Sequence, residues 1–118
     1  GGIALEVPAF TFIPRDGEEF PVRFRTRAQS QTEVRIYDLA GRLVVTLFDS
    51  RFDGAAATAP DRLTERRWNG RDREFELVPA GTYVVHLSVT GNRTGDQETR
   101  TAPVVLSATS SCSDGRNA

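Results

Sequence analysis

Residues 32–48, TEVRIYDLAGRLVVTLF, constrain the fold more than any other stretch of this chain. Val34 and Ile36 alternate with Arg35 and Tyr37 ahead of Asp38-Leu39-Ala40-Gly41. Leu43, Val45 and Leu47 then alternate with Val44, Thr46 and Phe48. Successive strand side chains point to opposite faces, so a period of two on both sides of a short break predicts a β-hairpin whose arms each have an inward face. Asp38 can close the turn with its carboxylate, and Gly41 can take the positive φ that a tight hairpin needs.

The rest of the chain reads as further strands. Residues 3–13, IALEVPAFTFI, are apolar and β-prone, but Pro8 removes a backbone donor and Pro14 closes the run. One bent or split strand is expected, with residues 1–14 forming an edge strand or a strand donated to another copy. Residues 19–27 alternate, with Phe20, Val22 and Phe24 inward and Arg23, Arg25 and Arg27 outward. Residues 50–61, with Asp53-Gly54 and three alanines, read as a loop with room for a short helical turn. Residues 63–68 return to strand and end on Trp68, expected as a core anchor, before the turn dipeptide Asn69-Gly70. Residues 71–77 are charged and irregular, and Val78-Pro79-Ala80-Gly81 sets another turn. Tyr83, Val85, Leu87 and Val89 alternate along the clearest strand, and a closing strand carries Val104-Val105-Leu106. About seven strands, turns every 8–12 residues and no helical period indicate an all-β antiparallel sandwich, Ig-like or fibronectin-III-like, over residues 1–108. Residues 109–118 are a polar tail.

Composition narrows the function classes. The 118 residues suffice for one domain with a real core. All fifteen basic residues are arginine, which excludes a lysine Schiff base or a lysine-linked isopeptide crosslink. A net charge of −1 and a pI of about 5.8 argue against a nucleic-acid partner. No run approaches the roughly 18–20 apolar residues of a membrane helix. The chain has no methionine, so Gly1 is expected to follow a processing or excision point. Cys112 is the lone cysteine and cannot form an internal bridge; it is the candidate for an intermolecular thiol.

Three blocks now carry a resemblance. The residues from Val34 to Val45, VRIYDLAGRLV, are followed by Trp68-Asn-Gly-Arg-Asp72 and by Val78-Pro-Ala-Gly-Thr-Tyr83. In that order they resemble the Ig-like domain of the flagellar hook-cap protein, the FlgD-like family, over roughly residues 20–107. The residues that match its pattern are Tyr37, Asp38, Gly41, Arg42, Trp68, Gly70, Asp72, Pro79, Gly81 and Tyr83. Two departures stand out: Asn69 replaces the usual aspartate, and residues 73–76 lack the glycine that shapes the connecting loop. The resemblance implies a non-catalytic structural or assembly module of a secreted or surface bacterial protein, with no cofactor. The C-terminal sorting domains of type IX secretion are similar in the Tyr-Asp and Gly-Thr-Tyr blocks and rank second.

Catalytic constellations are missing from the sequence. His86 is the only histidine and is expected on a sheet surface. Asp49, Asp53 and Asp61 do not keep the spacing of a calcium loop. Arg23, Arg25 and Arg27, joined by Arg35 on the next strand, form the candidate interaction surface. Guanidinium forks there would suit a partner's carboxylates or an acidic glycan. Two classes remain: an assembly module whose partners are proteins, including copies of itself joined through edge strands, and a carbohydrate-binding accessory domain. Most aromatic residues occupy inward positions, leaving Phe52, Phe75 and Tyr37 for a sugar platform, which favours assembly.

Overall fold

The computed structural model describes residues 2–53 and 63–107. Eight strands run in the order β1 (Ala4–Glu6), β2 (Thr11–Phe12), β3 (Phe20–Arg25), β4 (Ser30–Asp38), β5 (Leu43–Asp49), β6 (Thr64–Trp68), β7 (Gly81–Gly91) and β8 (Gln97–Leu106). A 3-10 turn, Pro14–Asp16, precedes β3, and a four-residue helix α1, Ser50–Asp53, follows β5. The strands form a three-stranded sheet, β1-β3-β6, and a five-stranded sheet, β2-β8-β7-β4-β5. The protein is an all-β sandwich.

The N-terminal segment accounts for eight strands where about seven were expected. Pro8 interrupts it, and the two halves join different sheets. β1 pairs antiparallel with β3 (Ala4 opposite Arg25), and β2 pairs parallel with β8 (Phe12 opposite Leu106), the one parallel ladder among the described residues. Both halves pair inside their own chain at sheet edges.

The β4–β5 hairpin forms at the expected turn, but its second arm departs from strict alternation. Register shifts fall between Val34 and Arg35 and between Ile36 and Tyr37, so β5 carries an extra residue at each. Val44, Phe48 and Asp49 are the buried residues of that arm, with Thr46 exposed between the first two. Elsewhere the period of two holds: Phe20, Val22 and Phe24 on β3 and Val85, Leu87 and Val89 on β7 are buried to the last per cent. Phe12, Trp68 and Tyr83 meet at one end of the core, with Trp68 5.9 Å from Phe12 and 5.7 Å from Tyr83 between ring centres. Phe24 and Phe48 meet at the other, 5.2 Å apart. Each such side chain contributes about 1.5–3 kcal/mol by leaving water.

The register also defines two poles. Ala4 opposite Arg25, Ser30 opposite Gly91 and Glu33 opposite Asp49 mark the upper one. Phe20 opposite Trp68, Asp38 opposite Tyr83 and Gly81 opposite Leu106 mark the lower one. Residue 2 lies at the upper pole and residue 107 at the lower.

Candidate functional site

Three stretches far apart in the sequence meet at the lower pole, and each is shaped by hydrogen bonds of its own. In the β4–β5 turn, the Gly41 N–H donates to the Asp38 carbonyl and the Asp38 N–H to the Arg42 carbonyl, both at 3.0 Å. Asp38 Oδ1 accepts the N–H groups of Ala40 (3.0 Å) and Arg42 (2.9 Å), and Oδ2 accepts Arg42 Nε at 3.0 Å. These bonds, the Arg42 amide foremost, hold the Asp38 carboxyl below its usual range. Gly41 takes a φ of +86°.

The second stretch follows Trp68. Its indole Nε1 donates to the Arg71 carbonyl at 2.9 Å, and Asn69 Oδ1 accepts the Arg71 N–H at 3.1 Å. An amide oxygen serves this turn as a carboxylate would, so Asn69 costs the local geometry nothing. Asp72 repeats the device of Asp38. Its Oδ1 accepts the N–H groups of Glu74 (2.9 Å) and Glu76 (3.1 Å), and its carbonyl accepts the Phe75 N–H at 3.0 Å. The loop that glycine shapes in the resembling family is shaped here by Phe75, at a φ of +65°. The third stretch is the start of β7. The Tyr83 hydroxyl donates to the Pro79 carbonyl at 2.6 Å, the tyrosine corner of Ig-type sandwiches. Burial pushes the Tyr83 hydroxyl pKa up, and the Asp38 charge adds to it.

Asp38, Gly41, Arg42, Trp68, Gly70 and Asp72 thus belong to one end of the molecule, together with Pro79, Gly81 and Tyr83. Between them lies an open groove of about 590 Å³, with Leu43, Val44, Val78, Pro79 and Ala80 among its apolar walls and Asp38, Arg42 and Asp72 at its rim. Leu39 on the rim is 71% exposed, and Phe75 on the adjoining loop is 78% exposed. Of the six exposed large hydrophobics among the described residues, Phe52 alone sits at the upper pole.

The arginines are not brought together. Arg23 and Arg25 lie on β3 of the small sheet, Arg27 follows in the crossover, and Arg35 lies on β4 of the large sheet, whose outer face points the opposite way. The crossover from β3 to β4 separates them; it is fixed by Thr26, whose hydroxyl is hydrogen-bonded to those of Ser30 and Thr32. Arg23 meets Glu65 at 2.9 Å, Arg27 meets Asp96 and Glu98 at 3.2 Å each, and Arg35 meets Glu33 at 3.4 Å. Arg25 has no carboxylate partner among the described residues. Glu65, 42 residues from Arg23 in the sequence, becomes its neighbour only through the pairing of β3 with β6. Sequence reading had no signal for that pairing. Glu65 is shared with Arg67 at 2.8 Å, and these two guanidinium bonds, Arg67's first, lower its carboxyl pKa.

The outer face of the large sheet carries Arg35 beside His86 and Thr101 in register, with Tyr37 edge-on to His86 at 5.8 Å. Among the described residues no group of three His, Cys, Asp or Glu side chains could hold a metal ion. Cys112, the tail 109–118 and Asp61 lie outside the described residues.

No protein-family model matches this chain, and no curated protein does. Among solved structures, 91% of the chain superimposes on dimeric latent PorU from Porphyromonas gingivalis with a TM-score of 0.63 and 20% identity. PorZ, an essential bacterial surface component of the type-IX secretion system of the same organism, covers 86% of the chain at 22% identity with a TM-score of 0.45. The chain spans 9% of the PorU chain and 11% of the PorZ chain. The likeness to PorU is one of fold: the same sandwich occurs there as a small part of a much longer polypeptide.

Proposed function

We propose that this chain is a non-catalytic structural and assembly module of an extracellular or cell-surface bacterial protein, and that it works through protein contacts. The observation that carries the reading is the distribution of apolar surface. The aromatic side chains are concentrated in the core, and five of the six exposed large hydrophobics, Phe10, Leu39, Phe75, Leu77 and Val105, lie in the lower half. Exposed apolar surface biased toward one end of a domain supports a protein-contact role there. The hook-cap resemblance supports the same class, and so does the occurrence of the fold as a small part of a long chain such as PorU.

The sheet edges are poor templates for strand addition. β1 and β2 have three and two residues, β6 has five and carries Glu65, Arg66 and Arg67, β5 is bulged twice, and β8 places Glu98, Arg100 and Pro103 along its open edge. Assembly is therefore assigned to the pole rather than to the edges. A second reading, an acidic-glycan binder, is favoured by the outer face of the large sheet. There Tyr37 and His86 present rings, and Arg35 keeps a buried Nε donor with no hydrogen-bond partner.

Affinity electrophoresis of the full chain through alginate, polygalacturonate and heparin separates the two. The module reading predicts no retardation in any of them. Retardation abolished by Arg35→Ala or His86→Ala would replace it with the glycan reading.

A further inference from the structure

Phe75 brings the isolated domain no burial to offset its backbone strain. A φ of +65° is unfavourable for any residue with a Cβ, and a ring 78% exposed gains nothing by being there. The loop nevertheless holds it firmly. The Phe75 N–H is bound by the Asp72 carbonyl at 3.0 Å, the Phe75 carbonyl accepts Arg71 Nη1 at 2.8 Å, and the Asp72 carboxylate takes the amides on both sides, at Glu74 and Glu76. The arrangement fixes an aromatic ring outward.

Beside it lies a receptor of matching character. Asp72, which anchors the Phe75 loop, also lines the open groove of about 590 Å³ walled by Val44, Val78, Pro79 and Ala80. That volume admits a phenyl ring with room for a second side chain such as Leu39. The ring does not fill the groove of its own chain. Knob and hole sit side by side on one pole, and this is the arrangement that makes a surface self-complementary. A second copy related by a twofold axis places each ring in the other's groove, and such a contact closes at two. Arg73 and Glu74 flank the ring without ion-pair partners among the described residues, so the rim offers both charge signs to its own image.

Resting on the assembly reading, we infer that two copies of this chain associate through their lower poles, the Phe75 ring of each seated in the groove of the other.

Sedimentation velocity under reducing conditions, at concentrations up to about 1 mM total chain so that a Kd of that order is populated, tests it with two variants. The native chain is expected to sediment as a dimer at the upper concentrations. Phe75→Gly, which removes the ring and relieves the φ strain, is expected to be monomeric and to unfold at a higher urea midpoint than the native chain. Ala80→Arg, a change at an exposed position, blocks the groove with the ring intact and is also expected to be monomeric. A native chain that is monomeric throughout overturns the inference, and so does a dimer that survives either substitution. The polysaccharide result is independent of this one: a monomer that no polysaccharide retards would leave the module reading standing without this interface.

Discussion

Gly41 and Gly70 both hold positive φ, at +86° and +79°, yet they are not equivalent. A Cβ on Gly41 would meet open space, whereas one on Gly70 would lie 2.5 Å from Pro14 Cβ, against the turn that leads into β3. Gly41→Ala should therefore cost only the backbone term, about 1–2 kcal/mol. Gly70→Ala should cost more than Gly41→Ala because Pro14 must move as well, and paired urea denaturation curves would read the difference. Equal losses would mean that the approach to Pro14 relaxes freely. The need for glycine at position 41 was legible from Asp38-Leu39-Ala40-Gly41 alone, since turn chemistry is local. The contact with Pro14 was not, because it joins residues 56 positions apart through the packing of two sheets. Phe75 lies at the same limit. The missing glycine at residues 73–76 was visible, but which residue would take the left-handed conformation in its place depends on how Asp72 gathers the loop amides.

Among the elements, strands whose residues obey a period of two were readable, and those joined by irregularities were not. β3 and β7 follow their alternation to the buried side chain, while β5, bulged twice, leaves Thr46 exposed between Val44 and Phe48, which a strict period of two would put on the same face. The arginine ladder shows the same limit at the next level: spacing put Arg23, Arg25 and Arg27 on an outward face but did not place the crossover that sends Arg35 to the other sheet. The elements are tied by carboxylates that hydrogen bonds keep ionised. The Arg42 amide lowers the Asp38 pKa, the Arg51 guanidinium that of Asp49, the Arg67 and Arg23 guanidinium groups that of Glu65, and the Thr94 hydroxyl with Arg27 that of Asp96. Because the folded values lie below the unfolded ones, this contribution is fully present above the ordinary carboxyl pKa values, 3.8 for aspartate and 4.5 for glutamate. It is lost as pH falls through the lowered folded values. Melting temperature should therefore hold steady from neutrality down to the ordinary carboxyl values and fall progressively below them. A melting temperature unchanged well below both, at low salt, would contradict the assignment.

At the scale of the whole molecule, the two poles differ in kind. The upper pole is polar, with Arg27 held between Asp96 and Glu98 and Arg51 between Asp49 and Glu33. The lower pole carries the tyrosine corner, the two aspartate-closed loops, the groove and the exposed Phe75. The residues that made the chain resemble a known family are for the most part the scaffold of that pole, which is why the sequence could point to a module type without indicating what it touches. Exposed residues such as Leu39 and Phe75 leave no periodic trace. A dilution series of amide correlation spectra on the isotopically labelled full chain tests the account most directly. With increasing concentration, the account predicts shifts confined to the lower pole, at Leu39 to Gly41, Asp72 to Leu77 and Val78 to Gly81, with Arg35 and His86 unmoved. Spectra that do not change with concentration, combined with shifts at Arg35 and His86 on adding an acidic polysaccharide, would contradict it.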